Sequence, residues 1–262
     1  MKTVILCGGQ GTRLQEATRG LLPKPMISVG GHPILWHIMK LYGHYGIKDF
    51  VLCLGHLAHV IKDYFLNYRA RNSDITVDLS RPESLRFHGN TVDLDWRVTL
   101  AETGPDAMTG SRLAKVKKYL DGQTFMLTYG DGVADIRIDE LLAFHRRHGK
   151  LATITGVLPI GRFGKLEIEA DKVVSFEEKP LADETGRING GFMVLEPGVF
   201  DYVSEANDCV LEQSPLRNLA TDGEMMVYRH NSFWQCMDTP RDLLYLENLW
   251  SSKRSPWHVW ND

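Results

Sequence analysis

The chain predicts an α/β fold with a doubly wound sheet in one domain, on three observations. Short, continuously apolar runs, TVILC (3–7), FVLCL (50–54) and TFMLTY (124–129), read as buried parallel strands. Segments of helical spacing separate them, and that alternation is the signature of a sheet covered by helices. The first and third runs stop at glycine-rich turns, Gly8-Gly9 and Gly130-Asp131-Gly132. In an open parallel sheet, ligands bind at such carboxyl ends.

After the first strand, HPILWHIMKLYGHYG (32–46) puts Ile34, Leu35, Ile38, Met39 and Tyr42 on one helical stripe, with Gly46 as a stop. FVLCL follows and ends on Gly55; HVIKDYFLNY (59–68) repeats the helical spacing. Residues 73–100 break the pattern: ITVDL and RVTLAE alternate and flank a polar stretch, which predicts an excursion serving as a lid or an oligomer contact. SRLAKVKKYL (111–120) is a helix, TFMLTY a strand, IDELLAFHRRHG (138–149) a helix closed by Gly149, and LATITGVL (151–158) a strand. KLEIE, KVVSFEEKP and GGFMVLEP then read as strands, PLRNLATDGE as a short helix, MMVYRH as a strand and PRDLLYLENLW as the last helix, before a tryptophan-rich tail. No repeat, low-complexity run or linker divides residues 1–262, so one domain is expected.

Composition sets bounds. At 262 residues and 43% hydrophobic, the chain can bury a sizeable core. A net charge of −3 suggests neither a nucleic-acid coat nor a polybasic membrane surface, so anionic ligands must be held locally. Cys7, Cys53, Cys209 and Cys236 form no CxxC pair and read as buried free thiols of a reducing compartment. The apolar stretch before Gly8 is too short for a signal-peptide core, and no stretch has the length of a membrane span, so a cytoplasmic protein is expected. The ten histidines are scattered and read as surface or core residues.

The chemistry gathers in a few motifs. In LCGGQGTRL, backbone N–H groups of a glycine-rich turn are suited to cradling phosphate, and Arg13 can add a bidentate contact. Alternatively, the glycines merely fit a strand–helix turn. No Walker lysine follows, and the glycine spacing fails the dinucleotide fingerprint. In LLPKPM, prolines stiffen the chain around Lys24, a cation suited to charge developing in phosphoryl transfer. Asp131, in TYGDGVAD, ends a buried strand where a Mg²⁺-binding carboxylate belongs, unless it is only a turn aspartate. Asp238, in MDTPRD, is a second ligand candidate or a helix cap. Lys179 of FEEKP can hold another phosphate, and Glu178 can accept from hydroxyls. INGGF offers Asn189; hairpin chemistry accounts equally well for both motifs.

Together GGQGTRL, LPKPM, YGDG, FEEKP, NGGF and the late MDT resemble the sugar-1-phosphate nucleotidyltransferases. More narrowly, HPILWHIMK, GIKDF, VIKDYF, MTGSRL, TYGDGVAD, GRFGKLEI, INGGF and FWQCMDT resemble the glucose-1-phosphate cytidylyltransferases, nearly end to end. The resemblance implies a single Rossmann-like α/β domain with a mixed central sheet, often in a homo-oligomer. The implied reaction is Mg²⁺-dependent transfer from CTP to α-D-glucose 1-phosphate, giving CDP-glucose and pyrophosphate for surface-polysaccharide sugars. By position, Leu6, Gly8, Gly9, Gly11, Thr12, Arg13, Lys24, Arg112 and Gly130 fall at the nucleotide, and Asp131 and Asp238 at the metal. Lys179 falls at the sugar phosphate, and Glu178 and Asn189 at its hydroxyls; Arg13, Lys24 and Asp131 are the catalytic set. Two rivals keep the fold: a cytidylyltransferase for another small phospho-acceptor, and a subunit that binds ligand without turnover.

Overall fold

β1 (Lys2–Leu6) has four of its five residues buried, as an apolar run with helices on both faces must. The computed structural model describes residues 1–11, 14, 20–81, 84–88, 95–158, 165–169, 172–177 and 186–260. After β1 come a short ribbon of β2 (Ser28–Val29) and β3 (His32–Pro33), then α1 (Ile34–His44), β4 (Asp49–Leu54), α2 (Ala58–Leu66) and α3 (Tyr68–Arg71). β5 (Asp74–Val77) and β6 (Leu85–His88) form a separate two-stranded ribbon, and β7 (Arg97–Glu102), α4 (Thr109–Lys115), β8 (Phe125–Tyr129) and β9 (Gly132–Ala134) follow. α5 (Ile138–His148), β10 (Ala152–Val157), β11 (Lys165–Glu169), β12 (Lys172–Glu177) and β13 (Ile188–Leu195) lead to α6 (Ser214–Thr221), β14 (Met225–His230), β15 (Trp234–Cys236) and α7 (Pro240–Ser251).

Seven strands make the central sheet, in the order β14-β10-β13-β8-β1-β4-β7. β1 pairs in parallel with both β4 and β8, and β13 alone runs antiparallel to its neighbours, so the sheet is mixed. From β1 the chain first moves one way to β4 and later returns on the other side as β8. That reversal places a crevice beyond the carboxyl ends of β1 and β8. Alternate residues of each strand supply the two halves of the core. Ile5, Phe50, Leu52, Met126 and Val194 pack under α1, α7 and the C-terminal tryptophans. Val4, Leu6, Val51, Leu127 and Met193 pack under α4 and α6.

The excursion is shorter than its sequence suggests. Residues 97–100 belong to the central sheet: β7 pairs in parallel with β4, from Asp49↔Arg97 to Leu54↔Glu102. RVTLAE alternates because an edge strand packs one face and leaves the other to solvent, a pattern that a free hairpin shares. Among the described residues of 73–100, the β5–β6 ribbon stands apart, with every residue of β5 exposed. His32 and Pro33 likewise leave the expected helix for β3, since Pro33 is extended at the helix N-cap.

The tail closes over α1. His37 is fully buried; its Nε2–H donates to the Val29 carbonyl at 2.8 Å, and its Nδ1 accepts from the Trp257 indole at 3.3 Å. Both nitrogens are thus used by the neutral ring, and burial lowers the imidazole pKa to about 4. A histidine whose folded pKa lies below its unfolded value contributes stability that is complete above pH ~6.5 and fades as pH falls towards the folded value. Urea unfolding at pH 7.5 and 4.5 should show His37→Gln losing about 2–3 kcal/mol less than wild type over that interval. Equal losses would contradict a neutral buried His37.

Candidate functional site

The crevice beyond β1 and β8 is lined by segments far apart in sequence, each held there by a different device. The β1 turn is pinned from below. Arg112, on α4, is 4% exposed. Its guanidinium donates to the carbonyls of Gly8 and Leu54 at 3.0 Å, Gly104 at 2.8 Å and Pro105 at 3.3 Å, and to Thr103 Oγ1 at 2.7 Å. Arg112 therefore underlies the turn and shapes it, whereas the resemblance puts this position at the nucleotide itself. A Cβ on Gly8 would lie 2.2 Å from the guanidinium carbon, so this glycine is required by packing alone. A Cβ on exposed Gly9 would meet nothing within 4 Å, and the fold does not explain it. Leu6, 8% exposed, takes the N–H of Gly130 on its carbonyl at 3.1 Å, which ties the β1 turn to the β8 turn.

Lys24 starts a 3-10 turn, Lys24–Met26, entered through extended Pro23 and continued by Pro25. Two prolines leave this segment little freedom, so Lys24 is presented from a stiff base. Pro25 packs on Gly130, where a Cβ would come within 2.9 Å of its ring, and Gly11 lies against the Lys24 stem. Asp131 follows Gly130. Its backbone carbonyl accepts from Met237 N at 2.8 Å, and β9 pairs with β15 in the register Gly132↔Cys236. That ribbon brings Asp238 alongside Asp131. Thr239, not Asp238, caps α7, in a capping box with Asp242. The cap reading of Asp238 therefore falls, and its carboxylate meets Lys24 instead.

The three groups meet. Lys24 Nζ donates to Asp131 Oδ2 at 2.7 Å and also to Asp238 Oδ1. Burial works to lower the ammonium pKa, but the Asp131 and Asp238 carboxylates outweigh it and hold it above its ordinary value. Lys24 is therefore a cation at neutral pH, shared by two carboxylates that are each about a quarter exposed. The nearby thiols are inert: burial raises Cys7 well above its usual range, and burial and then Asp238 raise Cys236 to about 12. All four cysteines are free; Cys7 and Cys53 are buried as expected, and Cys209 and Cys236 are half-buried.

Asn189 lies on β13, two strands from β1, and donates to the Tyr129 hydroxyl at 3.1 Å. The glycines after it stand within a strand rather than a hairpin turn. Tyr129 stands in TYGDGVAD without being singled out there, and its partner Glu212 lies in no motif. They are missed by sequence reasoning because 83 residues separate them. Thr12, Arg13, Glu178 and Lys179 lie outside the described residues.

Comparison with known proteins identifies the family and the fold. Residues 2–251 match the Nucleotidyl transferase family. The chain is 50% identical over 262 residues to a glucose-1-phosphate cytidylyltransferase of Salmonella typhi, covering 99% of this chain and 100% of that one. Among solved structures, a UDP-glucose pyrophosphorylase complexed with UDP-glucose superposes with a TM-score of 0.68 at 14% identity, covering 97% of this chain and 99% of that one. An inositol-1-phosphate CTP transferase from T. maritima superposes with a TM-score of 0.66 at 15% identity, covering 100% and 98%. At such identities these two likenesses establish the fold alone. The chain belongs to the nucleotidyl transferase family, and it is an enzyme of that class with a mixed seven-stranded sheet. Among the described residues, no helix is long and apolar enough to cross a membrane.

The two glycines of the turn separate in a stability experiment. Gly8→Ala should cost about 1–3 kcal/mol by displacing Arg112, while Gly9→Ala should stay within about 0.5 kcal/mol of wild type. Urea unfolding of both variants decides this, and equal destabilisation would contradict the division.

Proposed function

We propose that this member of the nucleotidyl transferase family transfers a cytidylyl group from CTP to α-D-glucose 1-phosphate, releasing pyrophosphate and forming CDP-glucose. The observation that carries the reading is full-length 50% identity to the Salmonella typhi glucose-1-phosphate cytidylyltransferase. The crevice chemistry supports it. A reaction between two polyanions needs cations beside the phosphates, and Lys24 is a stiffly mounted cation at the carboxyl ends of β1 and β8. Exposed Gly9, which the packing does not require, lets backbone N–H groups approach a triphosphate.

Asp131 and Asp238 are the candidate holders of Mg²⁺. Their fit rests on the donor set: two carboxylates converge on one cationic group, and a hard divalent ion takes one or two carboxylates plus phosphate oxygens. Among the described residues, no three His, Cys, Asp or Glu side chains converge to hold a metal by themselves, so phosphate oxygens would complete the set. When bound, the ion supplies positive charge to the triphosphate. Lys24, with Arg13 of the GGQGTRL motif, offsets the charge of the α-phosphate and of the departing pyrophosphate. Lys179 is assigned to the sugar phosphate, and Glu178 and Asn189 to its hydroxyls. A phosphate oxygen of the acceptor attacks the α-phosphorus in line, and pyrophosphate leaves. That oxygen is already ionised at neutral pH, so no side chain need remove a proton. Positioning and charge stabilisation account for the catalysis. A cytoplasmic homo-oligomer belongs to the same proposal.

Pyrophosphate release, measured with Mg²⁺ for each of the four NTPs against glucose 1-phosphate and other small phosphates, tests this. CTP with glucose 1-phosphate should give the high rate. CTP with a different acceptor would move the reaction to another substrate, and silence throughout would favour a subunit without turnover. Asp131→Asn should lower kcat by about two orders of magnitude or more with an unchanged fold. Near-normal turnover of that variant would remove Asp131 from the metal site.

A further inference from the structure

One hydrogen-bonded chain beside the crevice ends on Asn189, and its other members are not used by the reaction as described above. Thr109, the first residue of α4, donates through Oγ1 to Glu212 Oε2 at 2.6 Å and accepts from Leu211 N at 2.9 Å. Glu212 is thus fixed, although it is exposed and lies in the segment leading to α6. Its other oxygen accepts from the Tyr129 hydroxyl at 2.5 Å. Tyr129 accepts in turn from Asn189 Nδ2 at 3.1 Å, and Asn189 Oδ1 accepts from Gly191 N at 2.8 Å. Four segments are linked through side chains: the α4 N-terminus, the 206–213 segment, the end of β8 and the start of β13.

The packing is built for this contact. Gly191 has φ +84°, and a Cβ there would lie 2.5 Å from the Tyr129 ring. The second glycine of INGGF therefore has two reasons to be glycine: its left-handed backbone and the phenol lying over it. In this contact the Tyr129 hydroxyl is the donor and the Glu212 carboxylate the acceptor. A phenol that donates to a carboxylate is a better acceptor for a further N–H. With its carbonyl held by Gly191 N and one amide hydrogen by Tyr129, the Asn189 carboxamide has one orientation. The remaining amide hydrogen is then a donor of fixed direction.

We propose that Glu212 is a positioning residue of the acceptor subsite: through Tyr129 it locks the Asn189 amide so that its second N–H meets a sugar hydroxyl oxygen. This rests on the proposed reading of Asn189 as an acceptor contact. A carboxylate is a costly group to keep beside a crevice that takes two polyanions, because it repels both. Its double tether to Thr109 and Tyr129 gives a reason for its presence there.

Initial-rate kinetics on folded variants test this, with thermal unfolding used to confirm the fold. Glu212→Ala should raise the KM for the sugar phosphate about tenfold and leave the KM for CTP within about twofold. Tyr129→Phe should do the same, and the double variant should be no worse than the worse single one, because both break one chain. Glu212→Gln can still accept from Tyr129 and should recover most of the loss. Among deoxy analogues of the acceptor, the one lacking the hydroxyl met by Asn189 should abolish the Glu212→Ala penalty. Equal rises in both KM values, penalties that multiply in the double variant, or a penalty that persists with every deoxy analogue would overturn the inference. Failure of the wild type to use glucose 1-phosphate would instead overturn the choice of acceptor, and the same variants are then read with the sugar phosphate it does use.

Discussion

The structure around the crevice depends on one ammonium group shared by two carboxylates. Lys24, Asp131 and Asp238 come from three distant parts of the chain. With the Lys24 side chain only 15% exposed, removing either charge sign would leave the other uncompensated in a poorly hydrated place. Each of the other devices serves this meeting. Prolines stiffen the approach of Lys24, the β9–β15 ribbon sets Asp131 beside Asp238, and Thr239 takes over the capping of α7. The cluster itself carries one positive and two negative charges, so the proposed reaction between two polyanions needs further positive charge beside it.

A second theme is the division of labour among glycines that look alike in sequence. Gly8 is demanded from beneath, by a guanidinium that holds five oxygen atoms in place. Gly9 has no such neighbour and stands exposed at the crevice. The turn thus sets two different glycines side by side: packing demands Gly8 and makes no demand on Gly9. Gly191 makes the same point at the far side, where the backbone gives way to an aromatic ring.

Periodicity alone made most of the sheet and its helices legible. TVILC, FVLCL and TFMLTY are three adjacent strands, and the helices from Ile34, Ile138 and Pro240 stand where their apolar stripes put them. RVTLAE misled because an edge strand and a free ribbon show the same alternation. Within the candidate site, Lys24, Asp131 and Asp238 were readable as separate candidates, but no spacing rule could show that one ammonium joins them. Arg112 carries no local sign of its role, which depends on carbonyls from three other turns. Tyr129 and Glu212 were invisible for the same reason: their meaning lies in a tertiary contact between a strand end and a loop. That Asp238 does not cap the last helix shows only once Thr239 is seen in the cap.

The central claim is that an oxygen of the acceptor phosphate forms the new bond to the α-phosphorus of CTP. Glucose 1-phosphate carrying ¹⁸O in its non-bridging phosphate oxygens, incubated with CTP and Mg²⁺ and followed by ³¹P NMR isotope shifts, reads this out. All of the label should be retained in the nucleotide sugar, including the new bridging oxygen, with none in pyrophosphate. Label appearing in pyrophosphate, or a nucleotide sugar whose bridging oxygen is unlabelled, would contradict it.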